Sequence, residues 1–170
     1  MTFRAVVLIG LLSAPVGAMA DTPEESQNAC FEASAMAGKV LPCVPEAAEA
    51  CLQAIPGYGK IGADPAAIAE CIAPVAAWWD QKATAEYERV LAAYLEMEGG
   101  NGGVQMAPDR SEALKTLQAA WLAYRDAKCA NEVAGFGIGA GAPMAAVSCR
   151  LWESAEHAVY LSGRGKPGPF

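Results

Sequence analysis

One histidine, His157, occurs in the 170 residues, and 12 Lys and Arg stand against 19 Asp and Glu. A Ser-His-acid hydrolase therefore has a single imidazole to draw on. Neither Ser148 nor Ser154 sits in a Gly-x-Ser-x-Gly elbow. No Cys-x-x-Cys occurs, which argues against a zinc site of closely spaced thiolates and against a Cys-x-x-Cys-His haem attachment. The shortage of basic residues makes nucleic acid and anionic membrane surfaces poor partners. No segment after the first twenty residues is long and apolar enough to cross a bilayer. Sustained apolar–polar alternation is also missing, so no sheet is expected. No cofactor and no metal are expected.

Residues 1–20 read as a secretory signal peptide. Arg4 makes the n-region positive, residues 5–12 are a short apolar core, and Ala18-Met19-Ala20 is a small-x-small cleavage site. The mature chain is expected to begin at Asp21, and the residue there is not the Cys a lipid anchor requires. A soluble periplasmic protein follows. Removing Arg4 leaves 11 basic and 19 acidic residues, a net charge of −8, which favours a cationic partner and also serves solubility. Cys30, Cys43, Cys51, Cys71, Cys129 and Cys149 are an even set behind an export signal and read as three disulfides.

The periodicity is helical throughout. Pro23 with Glu24 and Glu25 opens a short helix, Pro45 opens another to about Ala54, and residues 55–63 form a loop with Pro56, Gly57, Gly59 and Gly62. Asp64-Pro65 is an N-cap and first-turn pair for a helix that Pro74 is expected to kink or split. From Val75 to Met97, Trp79, Ala83, Tyr87, Val90, Tyr94 and Met97 step by four, four, three, four and three. Four Gly and Pro108 make residues 99–108 an exposed loop.

Next, Asp109 and Glu112 give a capping-box-like start to a helix whose run from Leu114 to Cys129 holds no Gly or Pro. Leu114, Leu117, Trp121 and Tyr124 are expected on its inward stripe, with Arg125 at the stripe's edge. Residues 135–141 form a second glycine loop. Pro143 opens the last helix, with Val147, Leu151, Ala158 and Leu161 inward, and residues 162–170 read as a disordered tail. The expected architecture is all-α: about five helices in a small bundle stapled by disulfides, one domain over residues 21–161.

Several features invite a chemical reading. The run Gly135-Phe-Gly-Ile-Gly-Ala-Gly141 has glycines like a phosphate cradle, but a helix precedes it and two Cys bracket it, so an ordinary closed loop is expected. Carboxylates are abundant, yet nothing singles out a glycosidase pair. Trp79 and Trp121 lie on predicted core stripes, leaving Trp78 and Trp152 as the more exposed indoles. Arg125 and Asp126 project about 100° apart on a helix. Arg125 is therefore expected to pair with an acid on another helix, Asp80 first, rather than with Asp126.

The run Leu117-Gln-Ala-Ala-Trp121-Leu-Ala-Tyr124-Arg125-Asp126-Ala-Lys-Cys129 resembles the signature of the LprI-like lysozyme-inhibitor family. Upstream, Cys71 followed by Trp79-Asp80 and Tyr87 is similar to the family's Cys, then Trp-Asp-x-x-Leu-Asn-x-x-Tyr pattern, with Ala83 and Thr84 where Leu-Asn stands. Downstream, Cys149, Ser154 and His157 take the place of Cys, then Thr-x-x-Arg. The resemblance spans about Cys43 to Leu161. It implies a helical exported protein with a lysozyme-directed role; with the acidic charge, the single His and the missing nucleophile motif, a non-catalytic inhibitor of a cationic lysozyme is expected. An envelope protein with an unrelated protein partner is the alternative, and a small envelope hydrolase the third reading.

Six Cys allow fifteen connectivities. Proximity in sequence favours Cys30–Cys43, Cys51–Cys71 and Cys129–Cys149. The last ties two helix ends across a glycine loop and stabilises by roughly 3 kcal/mol in the chain-entropy treatment. The first two rest on proximity alone. Residues 99–108, long, polar and free of a disulfide, are the expected contact loop.

Overall fold

A computed structural model describes residues 22–100 and 109–165. The expected signal peptide, most of the expected contact loop (101–108) and the end of the expected tail (166–170) lie outside the described residues. Five helices follow in order: α1 Pro23–Ala37, α2 Glu49–Gln53, α3 Pro65–Gly100, α4 Arg110–Ala134 and α5 Ala142–Ser162. The architecture is all-α, as the periodicity predicts.

The helix starts follow from local chemistry. Thr22 caps α1 by accepting from the Glu25 amide at 3.2 Å, and the Glu25 carboxylate accepts from the Thr22 amide at 2.8 Å. These bonds satisfy two amides that the first turn leaves without intrahelical partners. The Thr22 amide and hydroxyl, both donating to it, hold the Glu25 carboxyl below its usual range. Gly38 ends α1 in the left-handed region, φ 65°, where a side chain is disfavoured. Asp64 accepts from the Ala66 amide at 3.0 Å and starts α3 before Pro65. Asp109 caps α4 by accepting from Glu112 N at 3.1 Å.

Three expectations about the elements need correction. The segment after Pro45 begins as a 3₁₀ turn, Glu46–Ala48, and only Glu49–Gln53 is α-helical, with no side chain capping either piece. Pro74 does not split α3, which continues to Gly100, beyond Met97. It lies on the exposed side of the helix, and burial of Cys71, Val75, Ala76 and Trp79 on the other side holds both flanks in register. The buried face of α4 is rotated from the predicted stripe. Ser111, Leu114, Arg125 and Cys129 are buried, whereas Leu117 and Tyr124 are exposed, Tyr124 by 56%. Apolar character alone misplaced the face because a serine and an arginine occupy inward positions.

Cross-links between helices give the topology. The Ser154 hydroxyl reaches Asp80 at 3.1 Å, and Arg89 reaches the Leu161 carbonyl at 3.1 Å, so α3 and α5 run parallel. Ser111 N donates to Glu98 at 2.9 Å, and Arg125 meets Asp80 at 2.6 Å, so α4 runs antiparallel to α3. The result is an up-down-up bundle of α3, α4 and α5, with α1 and α2 packed on its side.

The main core joins Phe31, Val44, Leu52, Val75, Trp79, Leu151, Ala155 and Ala158. A smaller cluster of Val90, Leu114 and Leu161 closes the other end. Disulfides join Cys30 to Cys43, Cys51 to Cys71 and Cys129 to Cys149, with S–S distances of 2.03, 1.90 and 1.98 Å. Ser162 is still helical rather than part of a tail, and the carbonyl of Arg164 accepts from Arg89 at 3.2 Å.

Candidate functional site

Trp79 and Asp80 are consecutive on α3 and face different neighbours. Trp79 is fully buried, its ring centroid 6.1 Å from that of Phe31. Asp80 points to α4 and α5, where Arg125 Nη1 donates to its Oδ1 at 2.6 Å and Ser154 Oγ donates to the same oxygen at 3.1 Å. The Arg125 side chain is 10% exposed, Asp80 52%. Burying the guanidinium on the α4 face is tolerable because its donors are taken by carboxylates that remain partly in water.

Asp126 takes part as well, contrary to the expectation from helix geometry. Arg125 Nε and Nη2 donate to Asp126 Oδ1 at 3.2 and 3.1 Å. The 100° offset applies to the Cα–Cβ directions. A guanidinium three methylenes further out folds back far enough to reach its neighbour. Arg125 thus bridges two acids, one on each of two helices.

Aromatic groups continue the arrangement. The Arg125 guanidinium carbon lies 4.8 Å from the Trp121 ring centroid, a cation–π contact. The His157 ring stacks on Trp121 with centroids 3.8 Å apart and planes 5° from parallel, and Tyr160 follows at 6.2 Å. Arg164 lies 4.4 Å over Tyr160. His157 Nε2 is 2.7 Å from Gln118 Oε1 and donates to it. Burial, reinforced by the positive Arg125, lowers the His157 pKa from 6.5 to about 4. At neutral pH the imidazole is therefore uncharged and engaged with Gln118, while the Ser154 hydroxyl is engaged with Asp80. The geometry is that of an interhelical lock and not of a nucleophile beside its base.

The other residues singled out from sequence fall around this lock. Tyr87 is half-buried against the Val90 cluster. Trp121 is half-buried instead of fully inside, and exposed Tyr124 has Lys128 Nζ 5.9 Å over its ring. Lys128 pairs with Glu153, a carboxylate only 7% exposed. Sequence reasoning missed Gln118, Glu153 and Arg89. His157 and Glu153 lie one turn apart on α5, a spacing that signals two polar groups on the same strip of helix. Among the described residues no cluster of three or more His, Cys, Asp or Glu is placed to hold a metal.

Below the lock, a crevice of about 680 Å³ opens between α3, α4 and α5. Ala76, Val133 and Val147 give it apolar walls, and Asp80, Asp126 and Arg150 stand along it. Residues 135–141 lie beyond its far end, where the Cys129–Cys149 disulfide ties α4 to α5 with Cα atoms 5.5 Å apart.

These features define a disulfide-stapled helical protein whose three long helices are locked by one arginine between two carboxylates and by a ring stack. The family model described as "Lysozyme inhibitor LprI" matches residues 62–161, more than half of the chain, and the chain belongs to that family. It is also 25% identical over 167 residues to the "Uncharacterized 17.7 kDa protein in puhA 5'region" of Rhodobacter capsulatus, covering 96% of this chain and 91% of that protein. No solved structure matches. The matched span contains the lock, the crevice and the Cys129–Cys149 loop; α1 and α2 precede it. Among the described residues no helix is long and apolar enough to cross a membrane, and the three disulfides are consistent with an oxidising compartment.

Proposed function

We propose that the protein is an exported, non-catalytic inhibitor that binds a lysozyme-like muramidase in the periplasm, after loss of residues 1–20 and without a lipid anchor. The observation that carries this reading is the family match over residues 62–161, which takes in α3, α4 and all but the last residue of α5. The charge of the mature chain supports it. With 11 basic and 19 acidic residues after removal of Arg4, the chain attracts a cationic enzyme, chiefly by raising the rate of encounter.

The second reading, an envelope protein with an unrelated protein partner, draws on the departures from the family pattern. Ala83 and Ser154 are buried and His157 occupies the ring stack, so three of the four altered positions lie inside the bundle. Titrating the oxidised mature protein against lysozymes of several classes in a cell-wall lysis assay separates the two. Inhibition that weakens as salt shortens the Debye length below about 10 Å supports the inhibitor. Unchanged lysis with every lysozyme at large molar excess leaves the second reading.

A further inference from the structure

Two loops of this fold are built alike. Cys51–Cys71 and Cys129–Cys149 each join residues 20 apart. Each encloses a glycine-rich turn, and each turn holds one isoleucine wholly in solvent: Ile61 at 108% and Ile138 at 109% of full exposure. Because α3 and α5 run parallel, the loops that precede them emerge at the same end of the bundle.

The two differ in what surrounds the tip. Ile61 follows Lys60 and is three residues from Asp64, and most of its loop precedes the family match. Ile138 lies within an uncharged run, from Val133 to Cys149, wholly inside the match. Phe136, in the same turn, is 46% exposed, so the apolar surface there is a patch rather than one side chain. The turn is also well ordered by its own contacts. The Gly139 amide donates to the Phe136 carbonyl at 2.9 Å, and the Ala142 amide donates to the Gly139 carbonyl at 3.2 Å. The Phe136 ring lies so close over Gly141 that a Cβ there would come within 2.6 Å of it. A tip held in this way gives up little conformational freedom on binding.

We propose that the 135–141 loop is the contact element, with Ile138 as the anchor that enters an apolar depression on a basic protein. The rim fixes the chemistry of the partner. Exposed Glu132 lies on the last turn of α4, directly before the loop, Arg150 follows the second cysteine, and the mature chain as a whole is acidic. An uncharged anchor on a strongly acidic chain matches an apolar depression on a surface rich in Lys and Arg. The centre then desolvates no charge and the rim steers the encounter. The same acidity disfavours an anionic lipid surface. Its exposed apolar tip makes this the loop proposed in place of residues 99–108, of which 101–108 lie outside the described residues. The proposal rests on the muramidase-inhibitor reading and adds the face through which it acts.

The test compares wild type, Ile138→Asp, Ile138→Ala and the matched control Ile61→Asp, all as the full oxidised mature chain. Inhibition of a lysozyme that the wild type inhibits is the readout, with thermal melting alongside. Ile138→Asp is expected to weaken inhibition at least tenfold, Ile138→Ala by a smaller factor and Ile61→Asp by less than twofold, all at unchanged melting temperature. Equal inhibition by Ile138→Asp and wild type overturns this assignment while leaving the inhibitor reading intact, and so does an equal loss in Ile61→Asp. A wild type that inhibits no lysozyme overturns the inhibitor reading and the assignment with it. Ile138-dependent binding to phosphatidylglycerol–phosphatidylcholine vesicles, with no Ile138 dependence of inhibition, gives the tip to a lipid surface and also overturns the proposal.

Discussion

The two sides of α3 are held together by different physics. Toward α1 and α2, Trp79 meets Phe31, Val44, Leu52 and Ala48 in a closely packed apolar core beside two disulfides. Toward α4, Asp80 meets a buried arginine whose other acid and ring partners remain partly in water. The first side contributes through the area it removes from solvent. The second contributes modestly to stability, because half-exposed carboxylates lose little when an ion pair is broken. It does fix how α4 sits against α3 and α5, and thereby where the crevice and the loop below it open. The family match begins at residue 62 and takes in the polar side while leaving out the helices that complete the apolar one. The apolar side acts as a buttress for α3, and the polar side sets the geometry that the family shares.

The largest expected effect follows from breaking the apolar side. Trp79→Ala removes the largest wholly buried side chain and leaves a cavity, which costs roughly 3–5 kcal/mol. Trp79→Phe is expected to cost much less than its lost volume implies. The indole Nε1 is buried without a hydrogen-bond partner among the described residues, and removing such a donor recovers part of a desolvation penalty of about 1–3 kcal/mol. Urea unfolding of both variants measures the difference. A Trp79→Phe cost close to that of Trp79→Ala would show that the orphaned N–H is satisfied in solution.

Breaking the polar side has a smaller effect. Arg125→Ala is expected to cost about 1–2 kcal/mol, below the 3–5 kcal/mol typical of a severed buried pair, because Asp80 and Asp126 are 52% and 59% exposed and re-solvate. Arg125→Lys should lose about half as much, since an ammonium cannot bridge two carboxylates with a planar fork or stack on Trp121 in the same way. A cost for Arg125→Ala above that of Trp79→Ala would reverse the roles assigned to the two sides.

The same division explains what was legible in the sequence. The apolar side follows simple rules: Trp79 and Ala83 recur at helical spacing, and both are buried by 99% or more. The all-α class and the disulfide count also follow, from periodicity and an even set of cysteines in a chain with no strand pattern. The face of α4 was not legible from apolar spacing, because Ser111 and Arg125 point inward and Tyr124 outward. Ser111 is held by its amide on Glu98 and its hydroxyl on Asp109, and Arg125 by Asp80, the acid expected from the sequence; polar partners of this kind leave no mark in apolar spacing. The Arg125–Asp126 contact was missed because backbone projection says little about a long flexible side chain. The exposure of Ile138 was hidden for a related reason: composition identifies a glycine loop but not which of its residues the turn expels.

The smallest effect, and the sharpest probe of the polar side, is its dependence on pH. His157 is the only histidine in the chain, so its signals in a nuclear magnetic resonance titration are unambiguous. Its folded pKa of about 4 lies below the ordinary 6.5, first because the ring is buried between Trp121 and Tyr160 and second because Arg125 is nearby. Between these two values the unfolded chain binds the proton and the folded chain does not. Stability is therefore complete above about pH 6.5 and declines as pH falls towards 4. From pH 7 to 5.5 the loss attributable to this one group is about 1 kcal/mol by proton linkage. His157→Phe, which keeps a stacked ring but cannot titrate, should flatten that decline relative to wild type. Arg125→Ala should raise the folded His157 pKa, so that the decline still begins near pH 6.5 but ends at a higher pH and is smaller in total. No aliphatic contact on the Trp79 side responds to pH in this interval, so the difference between wild type and His157→Phe reports on the ring stack. A His157 pKa at or above 6 in the folded protein would sink the account, since it requires an imidazole open to water and an unlocked α4–α5 contact.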